Sequence, residues 1–215
     1  MLGPVLGAGL AAGAGAQSVP RVEIAVPQVA PPDPPGGPPV RGVDVLANGT
    51  IRDLMRSGFP ARLHYHVELW TASGVFNNLE SARDWDIIAR YDPLTKHFRA
   101  ARVNPESAPE RVEMLGDFDR AAALDSTLAD PYVVPLIPRE HSRRYYYVVA
   151  LDVDVVSLSD LDEVERWLRG ELRPAVRGQR NPGGVVGRGI RTLFLRIIGA
   201  EKRHYEARTK IFRSG

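Results

Sequence analysis

The chain has no cysteine in its 215 residues. That absence excludes disulfides, thiol catalysis, iron–sulfur clusters, cysteine-ligated zinc and a lipoprotein anchor. Long apolar runs are missing as well. The most apolar stretch, Met1–Gln17, is too short and too weakly apolar to span a bilayer, so no transmembrane span is expected in the mature chain. Catalytic motifs are equally scarce. No serine sits in a nucleophile elbow. The Gly183-Gly184-x-x-Gly187-x-Gly189 run lacks the Gly-Lys-Ser/Thr ending of a phosphate loop and follows no strand. No cofactor is implied, and the residues give no positive case for an enzyme.

What is present is an ordinary globular composition, 44% hydrophobic and 25% charged, in a length that suits one domain with extra segments at its ends. Charge is unevenly spread. Residues 166–215 carry 13 Lys/Arg against 3 Asp/Glu, a net of +10, while residues 1–165 carry a net of −8. An acidic body with a basic tail points to an anionic partner for the tail, or to the tail folding back on the body.

Residues 1–17 end in Ala14-Gly15-Ala16 before Gln17, a small-x-small cleavage pattern. They look like the back half of a secretory signal peptide whose basic n-region is missing, as a start codon placed too far downstream would leave it. Export to the periplasm or cell envelope is therefore expected. Residues 18–42 read as a short strand (Arg21–Val26) and a Pro/Gly-rich linker. Residues 43–176 read as a β-rich domain ending in an amphipathic helix, 177–189 as a Gly/Pro hinge, and 190–215 as a basic amphipathic helix or tail.

Within the body, Thr50–Ser57 reads as a short helix with a Thr50/Asp53 capping box and a stop at Gly58. Ala61–Thr71 alternates: Leu63, Tyr65, Val67 and Leu69 share one face, and His64, His66, Glu68 and Trp70 the other. Period two predicts a half-buried strand. Arg83–Tyr91 and Lys96–Val103 form a predicted hairpin around Asp92-Pro93-Leu94-Thr95. Val112–Leu124 reads as a helix with Leu115, Phe118 and Leu124 on its apolar side. Ser142–Val156 reads as a long strand, Asp160–Leu172 as an amphipathic helix, and Ile190–Lys210 as a second, basic one. The fold class is mainly β with inserted and C-terminal helices, arranged as an antiparallel β-sandwich (Ig-like) or a bent sheet.

Val43-x-Val45-Leu46, Leu54, Gly58-x-Pro60, Leu63-x-Tyr65-x-Val67-x-Leu69-Trp70, Trp85, Tyr91-x-x-Leu94-Thr95-x-x-Phe98 and the strand Tyr146–Val153 resemble a bacterial envelope family catalogued as domain of unknown function 4390. The resemblance covers residues 21–154. It implies an exported β-rich domain with no assigned activity, and supplies no catalytic residues. The Pro-rich linker and the basic tail depart from that pattern.

Three groups of residues carry candidate chemistry. His64, His66 and Glu68 point the same way from one strand, about 7 Å apart. They are a candidate zinc set, completed by Glu68 or by His97, and a metal-dependent hydrolase is the alternative they raise. Arg143, Arg144 and Tyr146 are a candidate interface, since arginine and tyrosine favour such surfaces. In a strand, Tyr145 and Tyr147 face one way and Tyr146 the other. Arg188, Arg191, Phe194, Arg196, Ile197, Lys202 and Arg203 are candidate membrane or partner contacts on the tail helix. The acidic group at Asp152, Asp154, Asp160, Asp162 and Glu163 lacks the glycine turn and spacing of a calcium loop. A non-enzymatic envelope protein is expected, partnered by an unidentified protein or an anionic membrane surface. Nucleic acid binding through the tail is the competing reading, which export argues against.

Overall fold

The computed structural model describes residues 19–27, 36–74, 76–104, 111–155 and 202–214. These are mostly β. The strands are β1 (Arg21–Ile24), β2 (Pro39–Val43), β3 (Ala61–Ala72), β4 (Asn77–Asp92), β5 (His97–Asn104), β6 (Arg111–Phe118), β7 (Tyr132–Val133), β8 (Arg144–Val155), β9 (Lys202–Arg208) and β10 (Phe212–Arg213). Two short helices, α1 (Gly49–Arg56) and α2 (Ala121–Leu128), complete the described elements. Seven strands form one antiparallel sheet in the order β10-β8-β3-β4-β5-β6, with β9 also paired to β8. Strands β1, β2 and β7 form a second. The large sheet curls into a half-barrel. This matches the antiparallel β class and the bent-sheet alternative. It does not establish an immunoglobulin-like sandwich.

Alternation explains the inner face. Leu63, Val67 and Leu69 of β3 are wholly buried, as are Val149, Leu151 and Val153 of β8. Tyr65 stacks on Trp85 of β4 with centroids 4.7 Å apart. Ile51 and Met55 of α1 and Leu124 of α2 fill the same core at zero exposure. Val22 of β1 and Val40 of β2 join it, so the short first strand is not set apart from the body. It pairs with β2 in the register Arg21↔Val43. Pro39 is tolerated as the first residue of its strand. Gly37 packs so tightly that a Cβ would lie 1.5 Å from the Val134 carbonyl oxygen.

The β4–β5 hairpin forms where its turn residues place it. Asp92 Oδ1 accepts from the Leu94 and Thr95 amides, and Lys96 takes a positive φ. Helix α1 is capped differently from the sequence pattern. Asn48, not Thr50, accepts from the Ile51 amide, and the helix stops before Gly58 at φ 96.

Three sequence expectations need correction. Val112–Leu124 is not one helix: its first part is strand β6 and its last part opens α2. Leu115 and Phe118 are three apart by chance within β6, and pairing with β5 decides the conformation. The basic tail is not helical over its described part. Lys202–Arg208 is β9, paired to β8 from Asp154↔Lys202 to Val148↔Arg208, so the C-terminal helix of the expected fold class gives way to a strand there. The division at residue 42 cuts through β2. The expected helix Asp160–Leu172, the hinge 177–189 and residues 190–201 lie outside the described residues. Among those that are described, no helix is long and apolar enough to cross a membrane.

Candidate functional site

The side chains at even positions of β3 leave the core and meet two neighbouring strands. On one side the register sets His64 against Asp86 and His66 against Asp84 of β4. On the other it sets Arg62, His64 and Trp70 against Asp154, Asp152 and Tyr146 of β8. Strand β9 widens the surface, with Lys202 against Asp154 and His204 against Asp152.

A ladder of charge-assisted contacts runs along this face. Arg62 donates to Asp86 through Nε at 2.8 Å and Nη2 at 3.3 Å, and both side chains are nearly buried. Asp86 Oδ1 also lies 2.9 Å from His64 Nδ1. His66 lies between two carboxylates, with Nδ1 2.6 Å from Asp84 and Nε2 3.0 Å from Glu68. Glu68 accepts from the Trp70 indole N–H at 2.8 Å. The ladder ends in an aromatic step: Trp70 and Tyr146 are parallel with centroids 6.3 Å apart, and the Arg208 guanidinium sits 3.6 Å above the Tyr146 ring.

The electrostatics follow from these partners. The Asp84 carboxylate, helped by Glu68, outweighs partial burial and pushes the His66 imidazole up to about 9. His66 is therefore a cation at neutral pH with both nitrogens facing acids, a form with no lone pair for a metal. Among the described residues no group of three or more His, Asp or Glu side chains is arranged to hold a metal ion. His64, His66 and Glu68 do share one face, as the alternation requires, yet their partners are carboxylates and an indole. His97 opens β5 opposite Asp92, bonded to the Thr95 carbonyl, and does not join them. Burial pushes the Asp154 carboxyl up.

The three tyrosines divide as strand geometry demands. Tyr145 and Tyr147 face inward, with hydroxyls donating to the Glu140 and Leu136 carbonyls at 3.1 and 2.9 Å. Tyr146 faces outward but is covered by Trp70 and Arg208. Arg143 pairs with Glu140 at 2.8 Å just before β8, and Arg144 is exposed opposite Arg213. Of the tail residues, Lys202 approaches Asp152 on the outer face at 3.7 Å. Arg203 points to the opposite face of β9. Arg188, Arg191, Phe194, Arg196 and Ile197 lie outside the described residues. The described end of the basic tail thus folds back on the acidic strand β8.

Sequence reasoning missed Arg62, Asp84, Asp86, Asp152, His204 and Arg208 as members of this face. The available signal was Asp84-x-Asp86 on a predicted strand. Comparison of the chain with protein-family models, curated proteins and solved structures finds no match to any of them.

Proposed function

We propose that this protein is a non-enzymatic binding or assembly module of the bacterial cell envelope, and that the outer face of β3, β4, β8 and β9 is its interaction surface. The observation that carries the reading is the ladder itself. Arg62, His64, His66, Glu68 and Trp70 are locked by neighbours into one rigid row that ends in the Trp70–Tyr146–Arg208 step. Rigid aromatic and guanidinium groups favour recognition because little side-chain entropy is lost on contact. The signal-like residues 1–17 and the resemblance to the envelope family support the location.

The test uses a C-terminally tagged copy expressed in its bacterial host. Fractionation is expected to recover it from the periplasm or envelope, eluting on size exclusion above its 23.6 kDa chain mass. Tyr146→Ala with Arg208→Ala is expected to return it to monomer size. Recovery in the cytoplasm overturns the envelope reading. Monomer elution of the unaltered chain, or an unchanged complex in the double variant, overturns the surface.

A further inference from the structure

One end of the large sheet, where β3 passes into β4 and β10 meets β8, holds groups that neither the core nor the ladder uses. Ala72 and Asn77 are direct partners, so Phe76 stands at the end of the β3–β4 hairpin, 75% exposed. No acid occurs from Thr71 to Leu79. Leu79, opposite Trp70, and Ile211, just before β10, are each about half exposed.

The charges at this end are one-sided. Arg144 and Arg213 are direct partners across β8 and β10, and both are exposed. Like charges set opposite one another destabilise a sheet. Lys210, exposed in the short connection from β9 to β10, adds a third cation. None of these three makes an ion pair among the described residues. A Cβ on Gly74 would lie 3.9 Å from Arg144 Nη2, which puts the arginine pair at the same end as Phe76. The acids beside them are already engaged: Glu140 pairs with Arg143 at 2.8 Å, and Glu80 accepts from the Arg139 amide at 2.9 Å. A repulsive pair kept at an exposed position costs the fold stability, and an anionic partner relieves that cost. A folded protein partner would be held by one packed apolar centre. Here single apolar side chains on two separate segments flank the cations, the pattern that lets a surface insert apolar groups beneath a layer of anionic headgroups.

We propose that this end of the sheet docks on an anionic lipid bilayer. Phe76 enters the headgroup layer, and Arg144, Lys210 and Arg213 meet lipid phosphates. The contact is distinct from the outer face, so either can fail without the other.

Co-sedimentation of the full chain with vesicles tests it, using phosphatidylcholine alone and phosphatidylcholine mixed with phosphatidylglycerol. Binding is expected on the mixed vesicles, and much less on phosphatidylcholine. Arg144→Gln with Arg213→Gln is expected to weaken it roughly thirtyfold, two contributions of about 1 kcal/mol each. That double variant relieves a repulsion, so its urea midpoint is expected to be no lower than that of the unaltered chain, which separates lost binding from lost folding. Phe76→Ser is expected to weaken binding by at least about tenfold. Arg56→Gln with Arg120→Gln removes the same charge beside α1 and α2, and is expected to change binding by less than about threefold. No binding to the mixed vesicles, or equal binding to both kinds, overturns the proposal. Equal weakening by the two arginine pairs overturns it as well, since diffuse charge would then be the cause. Full binding by Phe76→Ser overturns the insertion and points to an acidic macromolecule as the partner.

Discussion

Trp70 and Tyr146 lie ring to ring across β3 and β8 with their planes 2° from parallel, and the Arg208 guanidinium of β9 lies over the Tyr146 ring, 3.6 Å from its centroid. Three strands each contribute one group, and Tyr146 holds the middle. It is only 5% exposed although it faces outward. Tyr146→Ala is expected to cost about 3 kcal/mol in urea unfolding, through lost ring burial and lost stacking. Arg208→Ala is expected to cost no more than about 1 kcal/mol, since only the cation–π contact goes. Equal losses would place the stability elsewhere in the step.

His66 makes stability depend on pH on the alkaline side. Its folded value of about 9 lies above the ordinary 6.5, so the protonated ring stabilises the fold fully below about pH 6.5. The contribution is lost as pH rises toward 9. With the ring about a third exposed, solvent screening reduces the effect to on the order of 1 kcal/mol. Urea midpoints measured from pH 6 to 9.5 are expected to fall across that window and to flatten in His66→Gln. An unchanged slope in the variant would assign the dependence to another group.

Asp125 joins two distant parts of the chain, since its partner amide belongs to Leu46. Asp125→Ala leaves that amide unpaired and Arg52 without its buried counter-charge, and is expected to cost about 3 kcal/mol. Asp125→Asn keeps the acceptor and is expected to cost about 1 kcal/mol. Thermal unfolding of both variants checks the order, and an Asn loss as large as the Ala loss would contradict it.

Two glycines are expected to respond in opposite ways. Gly37→Ala would drive a Cβ into the Val134 carbonyl and is expected to destabilise by about 3 kcal/mol. Gly49→Ala opens α1 with nothing within 4 Å of the new methyl, and is expected to stabilise by up to about 0.5 kcal/mol.

Much of the sheet was legible because burial writes a period into sequence. The alternation of Ala61–Thr71 and the Asp92-Pro93 turn gave β3 and the β4–β5 hairpin their positions. Strand β9 carried no such signal: its one apolar side, Tyr205 and Ala207, is only partly buried, so pairing with β8 decides its conformation rather than its own propensity. The ladder was legible by half. His64, His66 and Glu68 were visible on one face, but their carboxylate partners depend on a bulge. Counting back from Ala72↔Asn77 without interruption would set Arg83 opposite His66. The register shift between Leu69 and Trp70 skips Glu80 and brings Asp84 there instead. A one-residue slip decides whether His66 meets an acid or a base, and no local pattern announces it. The Arg52–Asp125 network is hidden for a related reason, because its members lie far apart in the chain.

The pairing of β8 with β9 has an architectural consequence. Strand β8 ends at Val155 and β9 begins at Lys202, yet Asp154 and Lys202 are direct partners. The chain therefore leaves and re-enters the sheet at adjacent points, about 5 Å apart as paired strands are. Residues 156–201 join these two points. Replacing 157–200 with Asn-Gly is expected to keep the strand signal in far-UV circular dichroism. Unfolding free energy is expected to move by no more than about 2 kcal/mol, the closure entropy of the longer connection. The β8–β9 junction then acts as a socket, open to exchange of whatever it carries while the half-barrel stays the same.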